Sequence, residues 1–222
     1  RVVCGSNPHH AVGGEGGSRM KKYELTEETV IVSGKTLYRI RAVRDFGSVK
    51  AGDLGGYIEK EENLSHCGEA WVSDNAMVCG YAEVCGYAEV CDNAKVYCYA
   101  VVSGNARVCG EALVCDNAEV YGNAKVSGNA KVSGKACVCG DAEVSDTRHF
   151  FVQGPIGSRD GFVTFYRTKN NTVGVRCGCF SGSLQEFVDR VEETHGGSRY
   201  EKEYKLAAEL AKVCIRLEGE SR

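Results

Sequence analysis

Five histidines, an arginine-bearing glycine turn and a set of thirteen cysteines are the residues here whose types and spacing could do chemistry. A histidine set beside a hydroxyl or amine could act as general base in group transfer. His66, within Leu64-Ser65-His66-Cys67, is the candidate for that role. His9 and His10 lie near the start, His149 comes much later, and His195 suits the C-terminal end of a helix. The segment Gly154-Pro155-Ile156-Gly157-Ser158-Arg159-Asp160 offers turn N–H groups and a guanidinium, with Thr164, Arg167 and Lys169 following. Such a set suits a carboxylate or phosphate. It lacks Walker spacing and a following helix, so an ordinary salt-bridged turn competes with that reading. The ligand-binding candidates are Ser158, Arg159, Asp160, Thr164 and Arg167, and no metal or cofactor is expected.

Those residues must be positioned by something, and composition bounds what. The chain has 222 residues, 43% hydrophobic, with a formal net charge of −3 and a pI near 6.0. That balance argues against a general nucleic-acid or membrane surface. There are 28 glycines and two prolines, a bias that fits repetitive β-structure with many tight corners. The odd cysteine count and the absence of a secretory signal pattern predict free thiols in a bacterial cytoplasm. Met20-Lys21-Lys22 reads as a native start, and Gly16-Gly17-Ser18-Arg19 fits a translated ribosome-binding site. Residues 1–19 are therefore expected to be a disordered leader that is not native.

Valine recurs every six residues from Val72 to Val144 without exception, and alanine does the same from Ala70 to Ala142. Two places after each valine stands Gly or Asp, broken only at Cys98, and Asn often follows. A helix cannot carry a strict six, because 3.6 residues per turn would spread valine around the whole cylinder. A strand can. Even spacing puts Val and Ala inward and the Lys/Glu column outward, while Gly, Asp and Asn supply left-handed corners. Three hexads make a triangular coil, so the fold expected is a mainly β, left-handed parallel β-helix of about four coils at about 4.8 Å each. A right-handed coil is the alternative, since Gly falls two places after Val instead of one.

Eighteen residues per coil would stack Cys67 under Cys85 and Cys91 under Cys109, with Tyr97 between Cys79 and Cys115. Stacked thiols could take a soft metal, but a ladder offers two ligands where a closed tetrahedral site needs four. Small side chains tolerated on a β-surface are the reading taken. Cys177-Gly178-Cys179 is too tight for zinc without partners. Trp71, Tyr81, Tyr87, Tyr97, Tyr99 and Tyr121 could form an aromatic recognition strip or simply reflect β-propensity.

Solenoid ends need caps. The division expected is a β cap at 20–66, the solenoid at 67–147 and an α+β cap at 148–222. In the last, Phe162 to Thr168 and Thr172 to Cys179 read as a hairpin across Asn170-Asn171. Ser183 with Glu186 forms a capping box opening a helix through Glu193. Tyr200 to Leu217 reads as a second helix packing through Tyr204, Leu206, Ala207, Leu210 and Val213.

The block Arg41-Ala42-Val43-Arg44-Asp45-Phe46, then Val49-Lys50-Ala51-Gly52, Gly55-Gly56-Tyr57-Ile58 and Asn63-Leu64-Ser65, precedes the A-x-V-x-G-N units. Over about Lys22 to Asp146 it resembles uncharacterised hexapeptide-repeat proteins of enteric bacteria and their phages that carry a transferase label. The resemblance implies the solenoid fold and no proven reaction. The segment from Gly154 to Phe180 resembles a module attached to such phage-borne solenoids. A non-catalytic scaffold or binding module is the function expected, with a small anionic ligand or a protein as partner and a trimer or end-to-end homo-oligomer as its assembly. A hexapeptide acyltransferase using His66 is the alternative, and a metal- or thiol-binding protein the second.

Overall fold

The computed structural model describes residues 21–219, so the reading of 1–19 as a leader lies outside the described residues. The chain opens with an antiparallel hairpin, β1 (Tyr23–Val32) and β2 (Lys35–Ala42), to which β3 (Leu54–Ile58) adds. Thirteen two-residue strands follow, from β4 (Trp71–Val72) to β16 (Glu143–Val144), one per hexad. They stack in parallel on three faces, forming a three-sided solenoid. One face runs Met77–Val78, Lys95–Val96, Leu113–Val114, Lys131–Val132, and each strand pairs with the strand eighteen residues on. Every valine of the six-residue column from Val72 to Val144 is buried, as is every alanine from Ala70 to Ala142.

The solenoid has about five coils, one more than the valine spacing alone implies. Ile58 pairs with Val78 and Leu64 with Val84, each twenty residues apart, and both are fully buried in the valine column. The first coil therefore carries two extra residues between Leu64 and Val72. That insertion shifts Cys67 out of the column: Ser65 N–H donates to Val84 O, so Ser65 and not Cys67 underlies Cys85.

Corners need positive φ, and the residue two after valine supplies it: Gly80 at 74°, Asp74 at 55°, Asp92 at 59°. A Cβ on Gly68 would stand 2.3 Å from Gly86 O, so stacking as well as conformation demands glycine there. The aspartates add a bond. Asp92 Oδ2 accepts from Gly110 N–H at 2.8 Å and Asp116 Oδ2 from Gly134 N–H at 2.9 Å, tying each corner to the next coil. Cys98 is the misfit, held at φ 63° with neither glycine's freedom nor an aspartate's bond. Left-handed backbone costs a non-glycine residue about 1–2 kcal/mol, partly offset by glycine's greater chain entropy. Cys98→Gly should raise unfolding stability by roughly 0.5–1 kcal/mol, and Cys98→Val should lower it. Urea titration of both variants checks this; the reverse order would mean the corner is not held left-handed.

The N-terminal hairpin is pinned to the first coil by two buried side chains. Tyr23 donates its hydroxyl to Leu64 O at 2.8 Å, and Lys22 Nζ donates to Ala70 O at 2.6 Å beside the Phe46 ring. At the other end, β17 (Phe150–Ile156), β18 (Gly161–Arg167), β19 (Val173–Cys177) and β20 (Phe180–Ser183) form an antiparallel sheet. It is followed by α1 (Leu184–His195) and α2 (Arg199–Cys214). The predicted hairpin corresponds to β18 and β19, and the Ser183/Glu186 capping box opens α1 as the sequence indicates.

The packing side of α2 matches expectation at Tyr204 and Ala207 and differs at Leu206, Leu210 and Val213. Ala207, Ala208 and Ala211 are buried with Tyr204 half-buried, while Leu206 is 70%, Leu210 46% and Val213 82% exposed. The small residues let the helix approach its neighbours closely, which leaves the longer side chains outward.

Candidate functional site

The turn from β17 to β18 is fixed by its own composition. Gly157 sits at φ 73°, and a Cβ there would lie 2.0 Å from the Tyr204 hydroxyl. Its N–H donates to Glu203 Oε2 at 3.1 Å, so α2 holds the turn from behind. This presents Ser158 and Arg159 at a groove of about 590 Å³ whose other walls are the β19–β20 turn, α1 and α2. Its floor is aromatic. Phe187 packs against Phe180 at 5.6 Å and edge-on to Tyr204 at 5.7 Å, and His195 stacks on Tyr204 at 5.7 Å. Arg190 from α1 stands on the rim and contacts Glu193 at 3.7 Å. Arg159 makes no hydrogen bond or ion pair among the described residues. Burial pushes the Tyr204 hydroxyl up to about 12, so it is a neutral donor at ordinary pH.

The five residues grouped by sequence do not form one site. Thr164 is buried, and its Oγ1 accepts from Cys137 N–H at 3.0 Å on the last coil. Arg167 is 6% exposed; it donates to Glu143 O at 3.1 Å and Ser145 Oγ at 3.3 Å and meets Glu218 Oε1 at 3.2 Å. Both fasten β18 to the solenoid, where Lys169 adds an ion pair to Asp141 at 2.9 Å. Asp160, at φ 47°, lines an adjoining hollow with Arg199, Glu203 and Leu206. Only Ser158 and Arg159 reach the groove. Arg190 and His195 join them from α1, some thirty residues further on, and no local spacing in the sequence signals that approach.

His66 is built into the N-terminal cap. Its ring stacks on Tyr23 at 4.3 Å, and Nδ1 accepts from Lys22 N–H at 3.3 Å. Nε2 is buried without a hydrogen bond, 3.6 Å from a Glu61 oxygen. Burial lowers its pKa, with Glu61 opposing. Neither nitrogen faces open space where a substrate proton could be taken, so the geometry supplies no general base there. His149 is likewise buried, its Nδ1 accepting from Ser145 N–H at 3.1 Å.

Eleven described cysteines are free, and Cys179 is disulfide-bonded, so the expectation of thiols throughout fails at that position. Cys91 and Cys109 stack as the repeat dictates. Burial pushes the Cys91 thiol up to about 11, with Arg107 pulling the other way, which makes it a poor nucleophile at neutral pH. The aromatic strip shrinks to one pair: Tyr81 and Tyr99 stack at 4.9 Å one coil apart, with Lys60 over Tyr81. Trp71 is buried against Phe46, and Tyr121 lies under the Arg176 guanidinium.

Fold and site together define a capped β-solenoid with a cationic, aromatic-floored groove in its C-terminal cap. No protein-family profile matches the chain, and no curated protein is similar to it.

Proposed function

We propose that this chain is a non-catalytic solenoid serving as a binding or assembly module, and that its cap groove takes a ligand with an anionic end and an apolar body. The observation that carries this reading is the Arg159 guanidinium, unpaired among the described residues, at the edge of an aromatic floor. A carboxylate or phosphate would complete the guanidinium's hydrogen bonds, while Phe187 and Tyr204 would cover the apolar part. The resemblance of the repeat and the cap to phage-borne hexapeptide proteins supports reading such a module as phage- or prophage-encoded and acting in the bacterial cytoplasm.

Calorimetry with benzoate and phenyl phosphate, as an aromatic carboxylate and an aromatic phosphate, tests the proposal. A charged hydrogen bond from arginine typically contributes about 1.5–3 kcal/mol, so Arg159→Ala should weaken binding about tenfold or more. Its melting temperature should barely move, and His66→Ala should bind as the parent does. Loss of binding or of acyl transfer in His66→Ala, with Arg159→Ala silent, would give the site to the enzyme reading instead.

A further inference from the structure

Two stacked thiols are two ligands short of a closed tetrahedral site, and the corner residue beside them changes that count. Val108 pairs with Val90, which sets Cys109 directly over Cys91 on one face of the solenoid. Asp92 follows Cys91 at the left-handed corner, and its bond from Gly110 N–H turns the carboxylate toward the next coil. One ligand atom from each of Cys91, Asp92 and Cys109 consequently lies within 4.8 Å of the others. Around a tetrahedral zinc ion, sulfur and oxygen ligands stand about 3.5–3.8 Å apart, so closing the site asks for a contraction of about 1 Å. We propose that Cys91, Asp92 and Cys109 bind a thiophilic divalent cation of the zinc class, with water in the fourth position.

The surroundings suit that charge. Two thiolates and a carboxylate around a doubly charged ion leave one net negative charge, and Arg107 lies beside it, donating from Nη2 to Cys91 Sγ at 3.7 Å. Such an N–H to sulfur bond orients a thiolate ligand as outer partners do at metal centres. The column ends in hydroxyls on both sides, with Ser73 below and Ser127 above, so the pair of sulfurs is bounded. Cys91 is buried and Cys109 half-buried, whereas Asp92 is exposed, which leaves one open side for water. Each thiol that coordinates passes its proton to the buffer, so no electron donor or acceptor is required.

Cobalt(II), titrated into the full chain, is the probe. One equivalent should produce thiolate-to-cobalt charge-transfer absorption, and zinc(II) should displace it. Cys91→Ser and Cys109→Ser should each abolish the absorption, and Asp92→Asn should weaken binding about tenfold or more. Serine already occupies this column, so the variants should keep the parent melting profile. In the unmodified chain, zinc should protect Cys109 from alkylation, which mass mapping reads without any substitution. A Cys137→Ser/Cys139→Ser double variant should titrate like the parent. Absence of thiolate–cobalt absorption, or its survival in Cys91→Ser with loss in the Cys137/Cys139 variant, overturns the assignment. Unweakened binding in Asp92→Asn overturns the carboxylate's part.

Discussion

Val108→Asp should cost the fold about 4 kcal/mol or more, the largest effect expected of any single change in the coils. Val108 is fully buried, and its neighbours in register are Val90 and Val126, one coil to either side. The interior is only as wide as three facing side chains, so a carboxylate there finds neither water nor a partner. The penalty cannot be relieved by local shifting, because each coil is held by the coils above and below it. Arg107→Asp, one residue earlier on the outward face, is the control and should change stability by less than about 1 kcal/mol. Urea unfolding of both variants separates the faces. An unchanged midpoint for Val108→Asp would mean that valine does not point inward.

The second large effect is one of pH and belongs to Lys22. This side chain is fully buried, and its pKa is lowered to about 8, chiefly by burial, with Arg44 adding repulsion. In the unfolded chain the same ammonium titrates near 10.5. Below pH 8 both states carry the charge, and the folded state bears the whole cost of burying it. Between pH 8 and 10.5 the unfolded chain binds more protons, so stability rises with pH. The gain across that window is roughly 3 kcal/mol. Other groups titrate there too, Cys91 in the opposite direction, so the measurement is a difference. Lys22→Met loses the bond to Ala70 O at every pH and loses the titration as well. Stability of the parent minus that of the variant, from urea unfolding at pH 7.5 and pH 10, should increase with pH. A flat difference would show that Lys22 keeps its ordinary pKa.

Much of this architecture could be read before any coordinates, because a strict repeat leaves the backbone few options. The valine and alanine columns, the left-handed corners, the hairpin across Asn170-Asn171 and the Ser183 cap all follow from short-range rules. The first coil was hidden for a definite reason. Two extra residues before Val72 break the phase, and Ile58 and Leu64 replace valine, so only pairing across coils reveals them. On α2, Tyr204 and Ala207 were legible, but apolarity also pointed to Leu206, Leu210 and Val213, whereas close approach selected Ala208 and Ala211. The cap groove was half legible. The glycine turn announced Arg159, but whether Thr164 and Arg167 faced the same way depended on how β18 crosses the last coil. Thr164 turns out to meet Cys137, and Arg167 meets Glu143. In the same way, Asp92 joined the sulfur pair only once corner geometry set its carboxylate.

The twenty-residue first coil is followed by coils of eighteen, each laid on the last in unbroken register. Because those later coils repeat one another, the chain between its two caps behaves as a graduated spacer. Deleting or duplicating one eighteen-residue unit would move the Arg159 groove about 4.8 Å along the axis while the same three sides stay aligned. Separation between whatever the two ends contact is thus quantised. A partner held at both ends would accept integral changes of one coil and reject any fraction, since a lost hexad also turns the groove onto a different side.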